Sequence, residues 1–246
     1  MVRAIRVSPQ ARNGTERATR AICSCMRWPK LGRIGTVERA FRLLGGTIAL
    51  AGLVLQFWLM TQYSTSTSIA LAATHFLNFF TIQTNILLAV CMLLPAFMPG
   101  ARASHVLSKP SVRTAVLSYS ALTAIVYFAL LRNIGEDDGL ERRADQILHY
   151  VTPTMFLIDW LAWVPKGRIP FRAVPRFLIY PALYVAWTFL YGALTGWYPY
   201  PFVNAGKLGN NQLVANFVGV VAIAILIPYA FVALDRMLAA VHRHRA

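Results

Sequence analysis

The stretch from Ile147 to Val164 reads ILHYVTPTMFLIDWLAWV, and Asp159 within it is the only Asp or Glu inside any long apolar run of the chain. An ionisable group is costly in hydrocarbon, so one found there is a functional-site candidate by default. His149 stands ten residues earlier in the same run. Working outward, five further runs of similar character appear: Phe41–Met60, Phe76–Met98, Thr114–Leu131, Pro175–Leu194 and Leu213–Leu234. A membrane-crossing helix needs about 20 mainly apolar residues, which these windows approach or reach.

Composition leads to the same conclusion. With 57% of its 246 residues hydrophobic and 13% charged, the chain lacks the polar surface of a soluble domain. Lipid leaves backbone groups no external partner, so the spans must be helices. The expected fold class is therefore all-α, a bundle of six transmembrane helices over residues 36–236. A basic tail over residues 1–35 precedes it, and a short basic tail over 237–246 follows.

A net charge of +15 can indicate nucleic acid, but here its placement argues for membrane topology and against a nucleic-acid partner. Twenty Lys and Arg fall in the tails, the second loop and the fourth loop, against four (Arg132, Arg142, Arg143, Lys207) in the alternate loops. By the positive-inside rule both termini are cytoplasmic, and the expected location is the cell membrane. The third loop concentrates five of the nine acids and reads as a solvated outer loop, with an outward-facing cation site as the alternative. The Arg-rich tail is too poor in large apolar residues to fold alone, and it suits anionic lipid headgroups. A start at Met26 is the alternative reading of that tail. No cleavable signal pattern is seen. Cys23, Cys25 and Cys91 form neither a disulfide framework nor a zinc pattern, and no metal or cofactor is expected.

The second run opens with a polar half, in which Asn78, Thr81 and Asn85 recur at three- and four-residue spacing, with Thr84 beside them. Such a stripe can join helices by hydrogen bonds. Depth suggests more. Thr81 lies roughly 8 Å inside the outer end of its span, and His149 is at similar depth in the fourth. An imidazole that takes the proton of a hydroxyl makes it a nucleophile toward an ester carbonyl. Asn78, Gln83 and Asn85 are the nearby amides for the oxyanion. Thr152 extends the His149 face inward, and Pro153 removes a helical hydrogen bond there. Asp159 lies roughly 15 Å further along the axis, which makes it a buried polar anchor, protonated or paired with an amide or hydroxyl of another helix. After the fifth run, YGALTGWYPYPF (Tyr191 to Phe202) supplies interfacial aromatics, among them Trp197 and Tyr200, as a belt or as a lid over a cavity.

These segments resemble the androgen-induced and androgen-dependent family of membrane proteins and its six-span bacterial relatives. The Phe-Phe-Thr at 79–81, HYVTPTMFLID from His149 and TGWYPYPF from Thr195 match in order. The resemblance implies a Thr/His pair that hydrolyses fatty acid esters of hydroxy fatty acids, with Thr81 as nucleophile, His149 as base and Asp159 as the associated acid. It also implies membrane lipids as partners and a lipid ester as substrate. The chain departs from the family in its short second loop, its basic tail, and Tyr191 where animal members often carry His. The alternative is a non-enzymatic lipid-binding or small-molecule carrier whose polar stripe lines a cavity.

Overall fold

The computed structural model describes residues 34–63, 68–133, 139–204 and 206–245. Most of the basic tail, including Cys23, Cys25 and Met26, and Glu136 to Asp138 of the acidic loop lie outside the described residues. The helices are α1 (Thr36–Tyr63), α2 (Ile69–Leu77), α3 (Phe80–Phe97), α4 (Arg102–Leu107), α5 (Pro110–Val126), α6 (Leu140–Gln146), α7 (Thr152–Trp163), α8 (Val174–Phe177), α9 (Ile179–Thr195) and α10 (Asn210–Arg245). A π turn over Tyr127–Leu131 extends α5, and a second over Ile147–Val151 joins α6 to α7.

Among the described residues, five helical stretches are long and apolar enough to cross a membrane: Thr36–Gln62, Phe80–Phe97, Pro110–Leu131, Phe171–Thr195 and Asn210–Val241. This is an all-helical protein of the membrane type. The Ile147–Val164 run is helical but is not one of the five. The π turn makes up its first five residues, α7 has only 12 residues, and α6 before it carries Glu141, Arg142, Arg143 and Asp145. Its inward face is fully buried: Leu148, Thr152, Phe156, Asp159 and Trp160 are all 0% exposed.

The core joins Ala49 of α1, Leu88 and Met92 of α3, Leu117 of α5, and Phe156 and Trp160 of α7. Small residues let these helices approach closely, as is common where lipid supplies no hydrophobic drive between spans. A Cβ on Gly45 would lie 2.6 Å from the Met92 side chain, and one on Gly46 would lie 2.4 Å from that of Leu93. On the outside, Leu183, Trp187, Leu190 and Leu194 form an exposed apolar stripe along α9. That surface suits lipid contact.

The end of the bundle at which α1 begins is held by charge. Arg42 Nε donates to Asp159 Oδ1 at 2.7 Å, and Arg113 Nη2 donates to Asp159 Oδ2. Glu38 pairs with Arg42 at 2.8 Å, and Arg113 Nη1 donates to the Cys91 carbonyl at 3.0 Å. The sequence reading counted Arg42 and Arg113 with the cytoplasmic tail and second-loop charges; in the fold they are 3% and 1% exposed. It also expected Asp159 to be protonated or held by an amide or hydroxyl, whereas its partners are two guanidiniums. Two acids and two bases together carry no net charge, the condition under which ions can be buried.

Candidate active site

The second predicted run, Phe76–Met98, is not one helix. It breaks at Asn78, the C-cap of α2, and Phe79, which is extended with φ −79° and ψ 128°. Neither Gly nor Pro marks this break; tertiary contacts maintain it. The Tyr184 hydroxyl donates to the Asn78 carbonyl at 2.9 Å and accepts the Phe80 N–H at 3.2 Å, satisfying an end group on each side. The Asn78 amide donates to Thr74 O at 2.8 Å and accepts from Trp187 Nε1 at 2.6 Å. Asn78 therefore belongs to the hinge and not to a common helical stripe with Thr81 and Asn85.

The break places Thr81 in the first turn of α3, where N–H groups lack helical partners and the helix dipole is positive. Its N–H is accepted by the Tyr200 hydroxyl at 3.2 Å, and Tyr200 Oη also stands 3.4 Å from Thr81 Oγ1. Thr81 Oγ1 lies 3.2 Å from His149 Nε2, with the two residues 7% and 6% exposed. The other ring nitrogen, His149 Nδ1, is 3.0 Å from the Asp145 backbone carbonyl. A carbonyl can only accept, so Nδ1 carries the proton and Nε2 presents its lone pair to the threonine hydroxyl.

His149 occupies a π turn, a local widening common at functional sites. Thr152 N–H reaches Ile147 O, five residues back. The next bond of that register would need an N–H on Pro153, which has none. The Leu148 carbonyl thus released accepts the Asn85 amide at 3.1 Å. Asn85 also donates to Thr81 O at 2.9 Å and accepts from Thr152 Oγ1 at 2.5 Å. It ties the threonine helix to the histidine turn and has no amide hydrogen left for a substrate. Gln83 is occupied too, donating to Leu77 O and accepting from Tyr180. The amides expected to face an oxyanion are thus structural.

Around the pair is a cavity of about 270 Å³, walled by α1, the hinge, both π turns and the Pro199–Pro201 segment. Three of its residues escaped the sequence reading. Asp145, counted with the acidic loop, sits one helical turn before His149 with its carboxylate 3.7 Å from Nδ1; the i, i+4 spacing was the available signal. Tyr127, from the other π turn, stacks on the imidazole at 4.0 Å and donates to Asp145 Oδ2 at 3.3 Å. Gln56, the only side-chain amide in the first run, reaches the cavity with its buried Oε1 unpartnered.

Other expected residues lie elsewhere. Asp159 is in the arginine network. Trp197 stacks on His75 at 4.0 Å and meets Phe79 edge-on, so it supports the hinge from outside the cavity lining. Thr152 acts through Asn85. Among the described residues no group of three His, Cys, Asp or Glu is placed to hold a metal ion. Comparison with family models, curated proteins and solved structures finds no match to this chain.

Proposed function

We propose that this protein is an intramembrane hydrolase of lipid esters, with Thr81 as nucleophile and His149 as general base. The observation that carries the reading is the 3.2 Å contact between Thr81 Oγ1 and an imidazole whose tautomer leaves Nε2 able to accept a proton. His149 takes the hydroxyl proton as Oγ1 bonds to the ester carbonyl carbon, then returns it to the departing alcohol. Water, activated by the same imidazole, releases the acid from the acyl-threonine. Asp145 offsets the charge of the imidazolium formed in each half. The chain is proposed as a relative of the androgen-induced and androgen-dependent family, with six spans, both termini cytoplasmic, and the reacting pair in the outer leaflet of the cell membrane.

Purified protein incubated with long-chain fatty acid esters should release free acid. Thr81→Ala and His149→Ala should each abolish release while remaining folded in the membrane fraction. Full hydrolysis by either variant would remove the assignment. Cysteine labelling from each side of intact cells tests the topology.

The carrier reading rests on a different feature, an apolar cavity of about 510 Å³ between α9 and α10. It predicts lipid binding without turnover, so product formation separates the two.

A further inference from the structure

Thr81 and His149 supply a nucleophile and a base, but attack on an ester also needs a donor for the oxyanion, usually a large part of catalysis. The amides of Asn78, Gln83 and Asn85 make the structural bonds described above and do not line the cavity, while Gln56, which lines it from α1, is not among the contacts of the Thr81 hydroxyl, which are His149 and Tyr200. The first two N–H groups of α3, those of Phe80 and Thr81, point at the hydroxyls of Tyr184 and Tyr200.

Those two hydroxyls differ in one respect. Tyr184 sends its proton to the Asn78 carbonyl at 2.9 Å and does not line the Thr81–His149 cavity. Tyr200 lines it, with its hydroxyl 3.4 Å from Thr81 Oγ1. Because the Thr81 proton is directed at His149, the proton in that contact belongs to Tyr200. Accepting the Thr81 N–H at the positive end of α3 polarises the phenol as a donor. Burial raises the ionisation of Tyr200 above the ordinary phenol range and keeps its proton in place.

We infer that Tyr200 is a catalytic residue, the donor that stabilises the oxyanion formed when Thr81 attacks an ester. This rests on the hydrolase reading above. As the Oγ1–C bond forms, the carbonyl π pair moves onto the carbonyl oxygen, two bonds from Oγ1. The Tyr200 O–H then turns from Oγ1, whose own proton has gone to His149, to that oxygen. Collapse returns the pair to the carbonyl, breaks the C–O bond to the alcohol and passes the His149 proton to it; Tyr200 keeps its own proton throughout.

The test compares Tyr200→Phe, Tyr184→Phe and Thr81→Ala in the full-length protein with a long-chain fatty acid ester. Tyr200→Phe should lower kcat by about 100- to 1,000-fold, the range for one lost oxyanion donor, with KM little changed. Tyr184→Phe removes the matching helix cap, so it should lower thermal stability while lowering kcat far less than Tyr200→Phe does. Near-wild-type kcat in folded Tyr200→Phe, with Thr81→Ala inactive, overturns the inference and leaves the Thr/His pair standing. Activity in Thr81→Ala overturns both. If Tyr200→Phe fails to fold, a fluorinated tyrosine placed at 200 keeps shape and cap while making the phenol more acidic. The alkaline limb of kcat should then move to lower pH, because a phenolate cannot donate; an unmoved limb overturns the inference.

Discussion

Replacing Asp159 with Asn separates support from chemistry. In the folded protein the carboxylate lies between two guanidiniums, and both arginines and the acid are at most 3% exposed. The isosteric amide keeps the volume but removes the charge that balances Arg42 and Arg113, leaving Glu38 alone against two buried cations. Removing one partner of a buried pair costs about 3–5 kcal/mol, and here one substitution breaks two pairs, so the upper half of that range is expected. Against a total stability of about 5–15 kcal/mol this is a large fraction, and it corresponds to a melting point lower by roughly 10 °C. The assay is thermal unfolding in detergent micelles, followed by ester hydrolysis at a temperature where the variant remains folded. Turnover per folded molecule should stay near that of the parent, because Asp159 contacts neither Thr81 nor His149 nor the cavity wall. An unchanged melting point would refute the buried-network argument. A folded Asp159→Asn protein as inactive as Thr81→Ala would show that the acid takes part in the reaction.

Three further substitutions probe the link between packing and the site. Asp145→Asn should slow turnover about tenfold, one pKa unit or about 1.4 kcal/mol of imidazolium stabilisation, because the backbone carbonyl still sets the tautomer; a loss equal to that of His149→Ala, measured as kcat, would contradict this. Asn85→Ala should cost about 1–3 kcal/mol for each buried group left without a partner, and it should reduce kcat more than it raises KM by loosening the join between α3 and the His149 turn. Circular dichroism melts and steady-state rates would check both parts. Gly52→Ala places a methyl group 2.6 Å from the Ile147 side chain and 3.0 Å from that of Leu148. Overpacking of about 1–3 kcal/mol should follow, with turnover falling as the π turn shifts, whereas an enlarging change at Gly100, which has open space around it, should do neither.

The sequence by itself determined the helical membrane class, because apolar runs near span length with nearly all charges at their flanks admit little else. It also singled out Thr81 and His149, since polar groups are sparse enough in apolar helices for two at matched depth to be noticed. Rise per residue was sufficient to put Asp159 well away from His149. Its partners were not legible: Arg42 and Arg113 sit at the edges of their runs, where arginines are ordinarily solvated, and only the packing of α1 and α5 against α7 buries them. The tertiary structure alone decided the break at Asn78–Phe79, because the hydroxyl that stabilises it comes from Tyr184, 106 residues from Asn78. It likewise decided which polar groups are spent and which remain available. Side-chain type says that Asn85 can donate twice; only the assembled bundle, with Pro153 leaving the Leu148 carbonyl open, shows both donors used and the cavity lined instead by Gln56, Thr81, Tyr127, Asp145, His149 and Tyr200.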